Sequence, residues 1–383
     1  MTALQHLSES PIAHLSAEDV ERLGQELDAL REEVMADRGQ RDADYIRRII
    51  TLQRRIELGS RIVLLASLFP PAWLVGTAGL SIAKILENME LGHNILHGQW
   101  DWMRDPKIHS TTWEWDNVSP AELWKHAHND LHHAYTNVLG KDNDLGYGLM
   151  RVDEEQPWSP FHLAQPLWNL LNMLVFEYGI AVYDLELGRY FQGRKDKAEV
   201  RAGARKVWRK ARRQLLRDYV LHPLLSGPSA LPTLLANVTA NVVRNVWAHS
   251  VIMCGHFPRG AMTFTKASIE GETRAQWYLR QMVGSANISG GRLVHLMTGN
   301  LSYHIEHHLF PDLPSNRYQE IAPRVQEIFA RYGLTYLSGS MARQVASAWW
   351  KVIRLSLPST DQSHLRHVPP VEHQQPTTSR VVA

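Results

Sequence analysis

IVLLASLFPPAWLVGTAGLSIA, residues 62–83, carries no charged side chain, and neither does YVLHPLLSGPSALPTLLANVTANVV, residues 219–243. A helix crossing a bilayer needs about 20 apolar residues, and both runs reach that length. The second continues past Arg244 through Val246, Trp247 and Ala248 to Val251, Ile252 and Met253. Proline interrupts both runs, at Pro70–Pro71 and at Pro223, Pro228 and Pro232. A proline-marked turn fits a hairpin of two tilted helices. The expected fold is therefore all-α, a helical membrane bundle of two hairpins with about four membrane helices. Residues 61–92 are short for two full spans, so the first hairpin must borrow from 45–60. Arg47, Arg48, Arg54, Arg55 and Glu57 give that segment an interfacial start. Helices buried in the core of a water-exposed protein are the competing reading of the same runs.

At 383 residues the chain has room for one large domain or two. Lys plus Arg number 41 against 39 Asp plus Glu, so nothing drives it toward nucleic acid. The single cysteine, Cys254, excludes a disulfide framework, a multi-cysteine zinc site and an iron–sulfur cluster. The first forty residues lack the apolar core of a signal peptide. Ser16 followed by Asp19 has the form of a capping box opening an amphipathic helix over 16–36. The N-terminus is expected on the cytoplasmic side.

Between the hairpins, 93–218 is polar and ends in a basic stretch, 189–217, which the positive-inside tendency places in the cytoplasm. Residues 164–188, moderately apolar but holding Glu177, Asp184 and Glu186, read as a helix lying on the cytosolic surface. The tail beyond about residue 356, rich in Pro, Ser, Gln and Thr, reads as disordered. Residues 1–44 thus form an N-terminal helical segment, 45–340 the membrane domain with a cytosolic helical cap, and 341–383 a helix end and tail.

Three short clusters carry the chemistry: His93-Asn-Ile-Leu-His97, His128-Asn-Asp-Leu-His132-His133 and His304-Ile-Glu-His307-His308. Together they hold eight of the 20 histidines. On a helix, residues i and i+4 share a face, so His93 and His97 can offer imidazoles to one metal, as can His128 and His132. His304 and His307, at i and i+3, do the same. His133 and His308 are turned by about 100°, which suits a second metal nearby. Eight imidazoles exceed one tetrahedral zinc site, and two metals with open positions for oxygen is the economical count. Apolar hairpins imply a hydrocarbon substrate, whose C–H bonds demand redox chemistry, so iron is expected. A ninth ligand is expected near the end of the second hairpin, His256 ahead of His249, with Asn245 able to hold a metal-bound water. Asp130, Glu306, Asp101, Asp142 and Asp144 are candidates to orient the rings. His6, His14, His109, His126, His162, His222, His295, His364, His367 and His373 read as structural.

The three boxes resemble those of membrane-bound fatty acid desaturases. The resemblance spans roughly 45–335 and includes GHNILHGQWDWM, HNDLHHAYTNVLGKDNDLGYG, VIMCGHFP, Ala275–Met282 (AQWYLRQM) and HIEHHLFPDLPSNRY. It is closest to actinobacterial acyl-CoA desaturases. This implies four membrane helices, a cytosolic cap holding two irons, and O2-dependent insertion of a cis double bond into a long-chain acyl thioester, position 9 of a C18 chain by likeness. The implied ligands are His93, His97, His128, His132, His133, His304, His307 and His308, with His256 in the GHFP element as the extra one. Relatives with an Asn-x-x-x-His element would favour Asn245 and His249 instead. Many relatives carry Gln at the position of His304. No HPGG haem-binding element is present, so electrons are expected from a separate NADPH-dependent reductase. The resemblance further implies an acyl-CoA or acyl-lipid substrate and a multi-pass cell-membrane location with both termini and the boxes cytoplasmic. A hydroxylase built on the same metals and a non-catalytic metal-binding membrane protein are the alternatives.

Overall fold

A computed structural model describes residues 11–142, 144–154 and 156–358. His6, His364, His367, His373 and the tail from 359 onward lie outside the described residues. The first helix, α1 (Ala17–Ala36), starts at the expected capping box. The Asp19 amide donates to Ser16 Oγ at 3.1 Å, and the Ser16 amide donates to the Asp19 carboxylate at 3.0 Å. Its stripe of Leu23, Leu27, Leu30 and Val34 is buried against Tyr278, Met282, Ile305 and Phe329.

Two helical hairpins organise the rest. The first pairs α2 (Gln40–Leu64) with α3 (Pro70–Leu86), and its turn is set by Pro70 at the first helical position of α3. The arms approach closely because Gly76 faces Leu64; a Cβ there would lie 2.6 Å from Leu64 Cγ. The second runs down α8 (Lys197–Leu216), through a π-helical turn at Arg217–Leu221 and α9 (His222–Leu225), and back along α10 (Ala230–His256). The hairpin tips touch. Ser67 Oγ and Thr233 Oγ1 are 2.9 Å apart, and Trp73 Nε1 donates to the Pro232 carbonyl at 3.0 Å. From those tips both return helices run toward the same place, α3 continuing to His93 and α10 ending at His256. At 1.5 Å per residue each path is about 35–40 Å.

Around the tips Leu68, Phe69, Leu74, Val75, Leu224, Leu225 and Leu231 are each more than 60 % exposed. Even so, among the described residues no helix is long and apolar enough to cross a membrane. The turn at Pro70 splits the first apolar run, and Asn237, Asn241, Arg244 and Asn245 dilute α10.

The segment 164–188 folds as α5 (Gln165–Leu174), α6 (Phe176–Tyr183) and the start of α7 (Leu187–Phe191), not one helix. Among the described residues the fold is all-α apart from two three-residue strands, β1 (Asn287–Ser289) paired in parallel with β2 (Ser338–Ser340). The chain ends its described course in α15 (Met341–Ser356).

Candidate metal centre

Each histidine box occupies the end of a helix that arrives from elsewhere in the fold. The first follows α3 through a π-helical turn, Glu87–His93. The second follows α4 (Ala121–Lys125) through another, His126–His132. The third forms the short α13 (His304–Leu309). The π turn changes the expected grouping. In the second box the His133 amide bonds to the His128 carbonyl five residues back, at 3.0 Å, so the α-helical i, i+4 face does not apply.

His128 therefore joins the first box. Ligating atoms of His93, His97, His128 and His307 lie within 4.8 Å of one another. His132 groups with His133 and His308 as well as with His128 and Asp144, and His256 with His304 and His308, under the same limit. The pairing of His93 with His97 is as expected, and that of His128 with His132 is kept too, in a group that Asp144 completes. All eight box histidines and His256 converge. His249 does not: its Nε2 lies 2.9 Å from Asn169 Oδ1, and its ring packs on Phe176. Asn245 is also spent elsewhere, donating to the Leu174 carbonyl at 3.1 Å.

The ring nitrogens divide into held and free. Asp144 faces His128 Nδ1 at 2.9 Å, Asp142 faces His132 Nδ1 at 2.9 Å, and the Tyr318 hydroxyl lies 3.2 Å from His307 Nδ1. Such partners fix a ring and raise its basicity toward a metal. The Nε2 atoms of His97, His128, His133, His307 and His308 are buried without a hydrogen-bond partner among the described residues. An unmade bond on a buried polar atom costs about 1–3 kcal/mol, so several together fit a bound cation far better than a packed core. Burial pushes the imidazoles down, His93 to about 4 and His304 to about 3, which keeps them neutral and able to ligate. His132 is the exception. Burial opposes its proton, but the carboxylates of Asp142 and Asp144 raise it. Asp144 in turn is pushed up by burial to about 7.

Of the other acids, Asp130 pairs with exposed His126 at 3.2 Å, Glu306 takes bonds from Tyr336 and Asn287, and Asp101 accepts from Ser110. None of the three faces a clustered imidazole. His14, His109, His162, His222 and His295 also stand apart, each beside a local partner such as Tyr332, Thr111, Ser159, Asn237 or Ser302. Sequence reasoning missed Tyr318, Gln281 and Trp124, the last stacked on His128 at 4.4 Å between centroids. A cavity lined by His93, His128, His132, His256, His304 and His307 is also lined by Tyr147, Phe176, Ile180 and Leu301.

Three converging histidine boxes beside a cavity with apolar lining residues define a class: residues 69–340 match the family model for fatty acid desaturases, and the chain belongs to that family. It is thus an oxidoreductase of lipid metabolism, and the non-catalytic alternative falls. The chain is 49% identical over 350 residues to NADPH-dependent stearoyl-CoA 9-desaturase of Mycobacterium tuberculosis, covering 90% of this chain and 82% of the relative. It is 25% identical over 286 residues to sn-1 linoleoyl-lipid 6-desaturase of Synechocystis, covering 72% and 77%. It is 24% identical over 292 residues to fatty acid desaturase 3 of Bos taurus, covering 70% and 58%. No solved structure matches.

Proposed function

We propose that the protein is a membrane-embedded acyl-CoA desaturase that introduces a cis double bond at position 9 of a long saturated chain, with stearoyl-CoA as reference substrate. Two iron ions would be held by His93, His97, His128 and His307 on one side and His132, His133, His256, His304 and His308 on the other. The observation that carries the reading is the convergence of unpartnered buried imidazole nitrogens on the cavity. The name of the 49% relative supports the CoA thioester over the lipid-linked substrate.

The chemistry supplied by bound iron is redox: one O2, two external electrons and two protons remove two hydrogens from adjacent methylenes and leave two waters. This chain's own residues do the rest. Tyr147, Phe176 and Ile180 offer an apolar wall along which an acyl chain lies with one carbon facing the imidazoles, an orientation worth much of the barrier. Asp142 and Asp144 hold His132 and His128 in place. Electrons come from a separate NADPH-dependent reductase. The touching hairpin tips lie in the bilayer, since exposed leucines of that number mark a lipid contact. The histidine groups, α1 and α15 then face the cytoplasm, in keeping with the exposed arginines of α8.

The test is reconstitution with iron, such a reductase and stearoyl-CoA. A product two hydrogens lighter supports the proposal. A product heavier by one oxygen makes the protein a hydroxylase, and no product from any acyl substrate overturns the reading.

A further inference from the structure

The Ala275–Met282 segment belongs to α11 (Arg274–Gly284), and none of its residues lines the cavity. It grips the back of the second histidine box instead. Trp277 Nε1 donates to the His133 carbonyl at 3.3 Å. Arg280 donates to the carbonyls of Ala134 at 2.9 Å and Thr136 at 3.0 Å, and is itself fixed by two 2.7 Å bonds to Glu272. Gln281, fully buried, reaches furthest. Its Nε2 lies 3.5 Å from the His133 carbonyl and its Oε1 3.2 Å from His308 Nδ1.

We propose that Gln281 is a positioning residue that fixes the tautomer and ring orientation of His308, an imidazole shared by two of the ligand groups. The inference rests on the metal reading given above. A carbonyl only accepts, so the Gln281 amide nitrogen must face His133 and its oxygen is committed to His308. An oxygen facing Nδ1 requires the proton there, which leaves His308 Nε2 with its lone pair turned inward, buried and unpartnered. The His133 ring has no partner on either nitrogen, and it stacks on His308 with centroids 4.4 Å apart and planes 15° apart. Gln281 therefore governs both rings, that of His308 through its oxygen and that of His133 through its nitrogen, the backbone and the stack. Thr136 Oγ1 also lies 3.3 Å from His308 Nδ1, but its hydroxyl donates to the His132 carbonyl at 2.9 Å. It offers the ring only a lone pair, in agreement with Gln281.

The experiment uses full-length, iron-loaded protein and reads iron per chain, chelator competition and the visible spectrum after cobalt substitution. Gln281→Met keeps the volume and loses the acceptor. It is expected to weaken one of two metals by about 10–100-fold and leave the other, with an altered cobalt spectrum. Gln281→Glu keeps an acceptor for His308 and is expected to restore binding to within a few-fold of the parent. Wild-type binding in Gln281→Met overturns the proposal. So does equal loss in both variants, which would make the residue merely structural, or a larger loss in Thr136→Val than in Gln281→Met. Parent protein that binds no metal overturns the metal reading itself.

Discussion

At one end of the molecule imidazole rings are buried; at the other leucines are exposed. Ordinary folding does the opposite at both. His133, His304 and His308 are at most 4 % exposed, whereas Leu224 and Leu225 are 69 % and 78 % exposed. A mean hydropathy of -0.29 conceals this, because an average over composition does not register where a side chain sits. The difference teaches what each end lacks. Under the proposed function a cation satisfies the free nitrogens of the buried end, and lipid covers the leucines of the exposed end. α3 and α10 connect the two ends.

The largest effect is expected at the buried end. His307→Ala removes an imidazole from the four-histidine group, and desaturation should fall to background. Iron per chain should drop by at least one, beyond the roughly 100-fold affinity loss that a missing orienting partner causes. Iron analysis and product assay on the same sample check it.

Next comes the joint between the ends. The Lys84 ammonium, 1 % exposed, lies 2.8 Å from Asp218 and 3.2 Å from Asp116. Arg61 and Arg217 also contact Asp218, and Arg244 pairs with Glu177. Replacing one member leaves an uncompensated buried charge, so Lys84→Met should cost about 3–5 kcal/mol, read as a loss of thermal stability in detergent. A smaller cost is expected for Asp144→Asn, which removes the carboxylate from His128. Metal affinity should fall by about 10–100-fold with the fold intact, measured by chelator competition.

How much of this was legible differs between the ends for a physical reason. Eight histidines packed into three short boxes, and long uncharged runs with central prolines, are local signals: the boxes converge and the runs fold into helical arms, though no described helix is long and apolar enough to cross a membrane. Partnership across the fold is not local. His128 reaches His93, His97 and His307 as well as His132, and no spacing in the sequence marks the π turn it sits on. Asp142 and Asp144 were within reach of guessing because they follow the second box closely. Tyr318 and Gln281 were not, since an orienting partner needs only one correctly placed atom and leaves no periodic trace. Lys84, Asp116 and Asp218 are separated by long stretches, and only the packing of the hairpins against the cap brings them together.

Acidity offers a gentler probe of the buried end. Burial pushes Asp184 up to about 8, against which the Ser119 hydroxyl bond works. The folded chain thus holds a proton that the unfolded chain releases near pH 4. Between those values the native state binds more protons, so stability falls as pH rises from about 4 to about 8. Asp184→Asn removes this slope, and its melting temperature should vary less than the parent's between pH 5 and 8. An unchanged slope would mean that the carboxyl is ionised in the fold.

The smallest effect on activity is expected at the exposed end, and it separates the two environments most cleanly. If water surrounded Leu224 and Leu225, changing both to serine would remove nothing that packing supplies, and stability would move by no more than about 0.5 kcal/mol in any solvent. If lipid surrounds them, each serine forfeits roughly 1.5–3 kcal/mol of transfer from water. Leu224→Ser combined with Leu225→Ser should then leave the histidine groups and the turnover of detergent-solubilised protein unchanged, while the chain distributes less completely into vesicles. Vesicle flotation of parent and variant checks it. Equal flotation would place those leucines outside the bilayer and leave the exposed end without its proposed solvent.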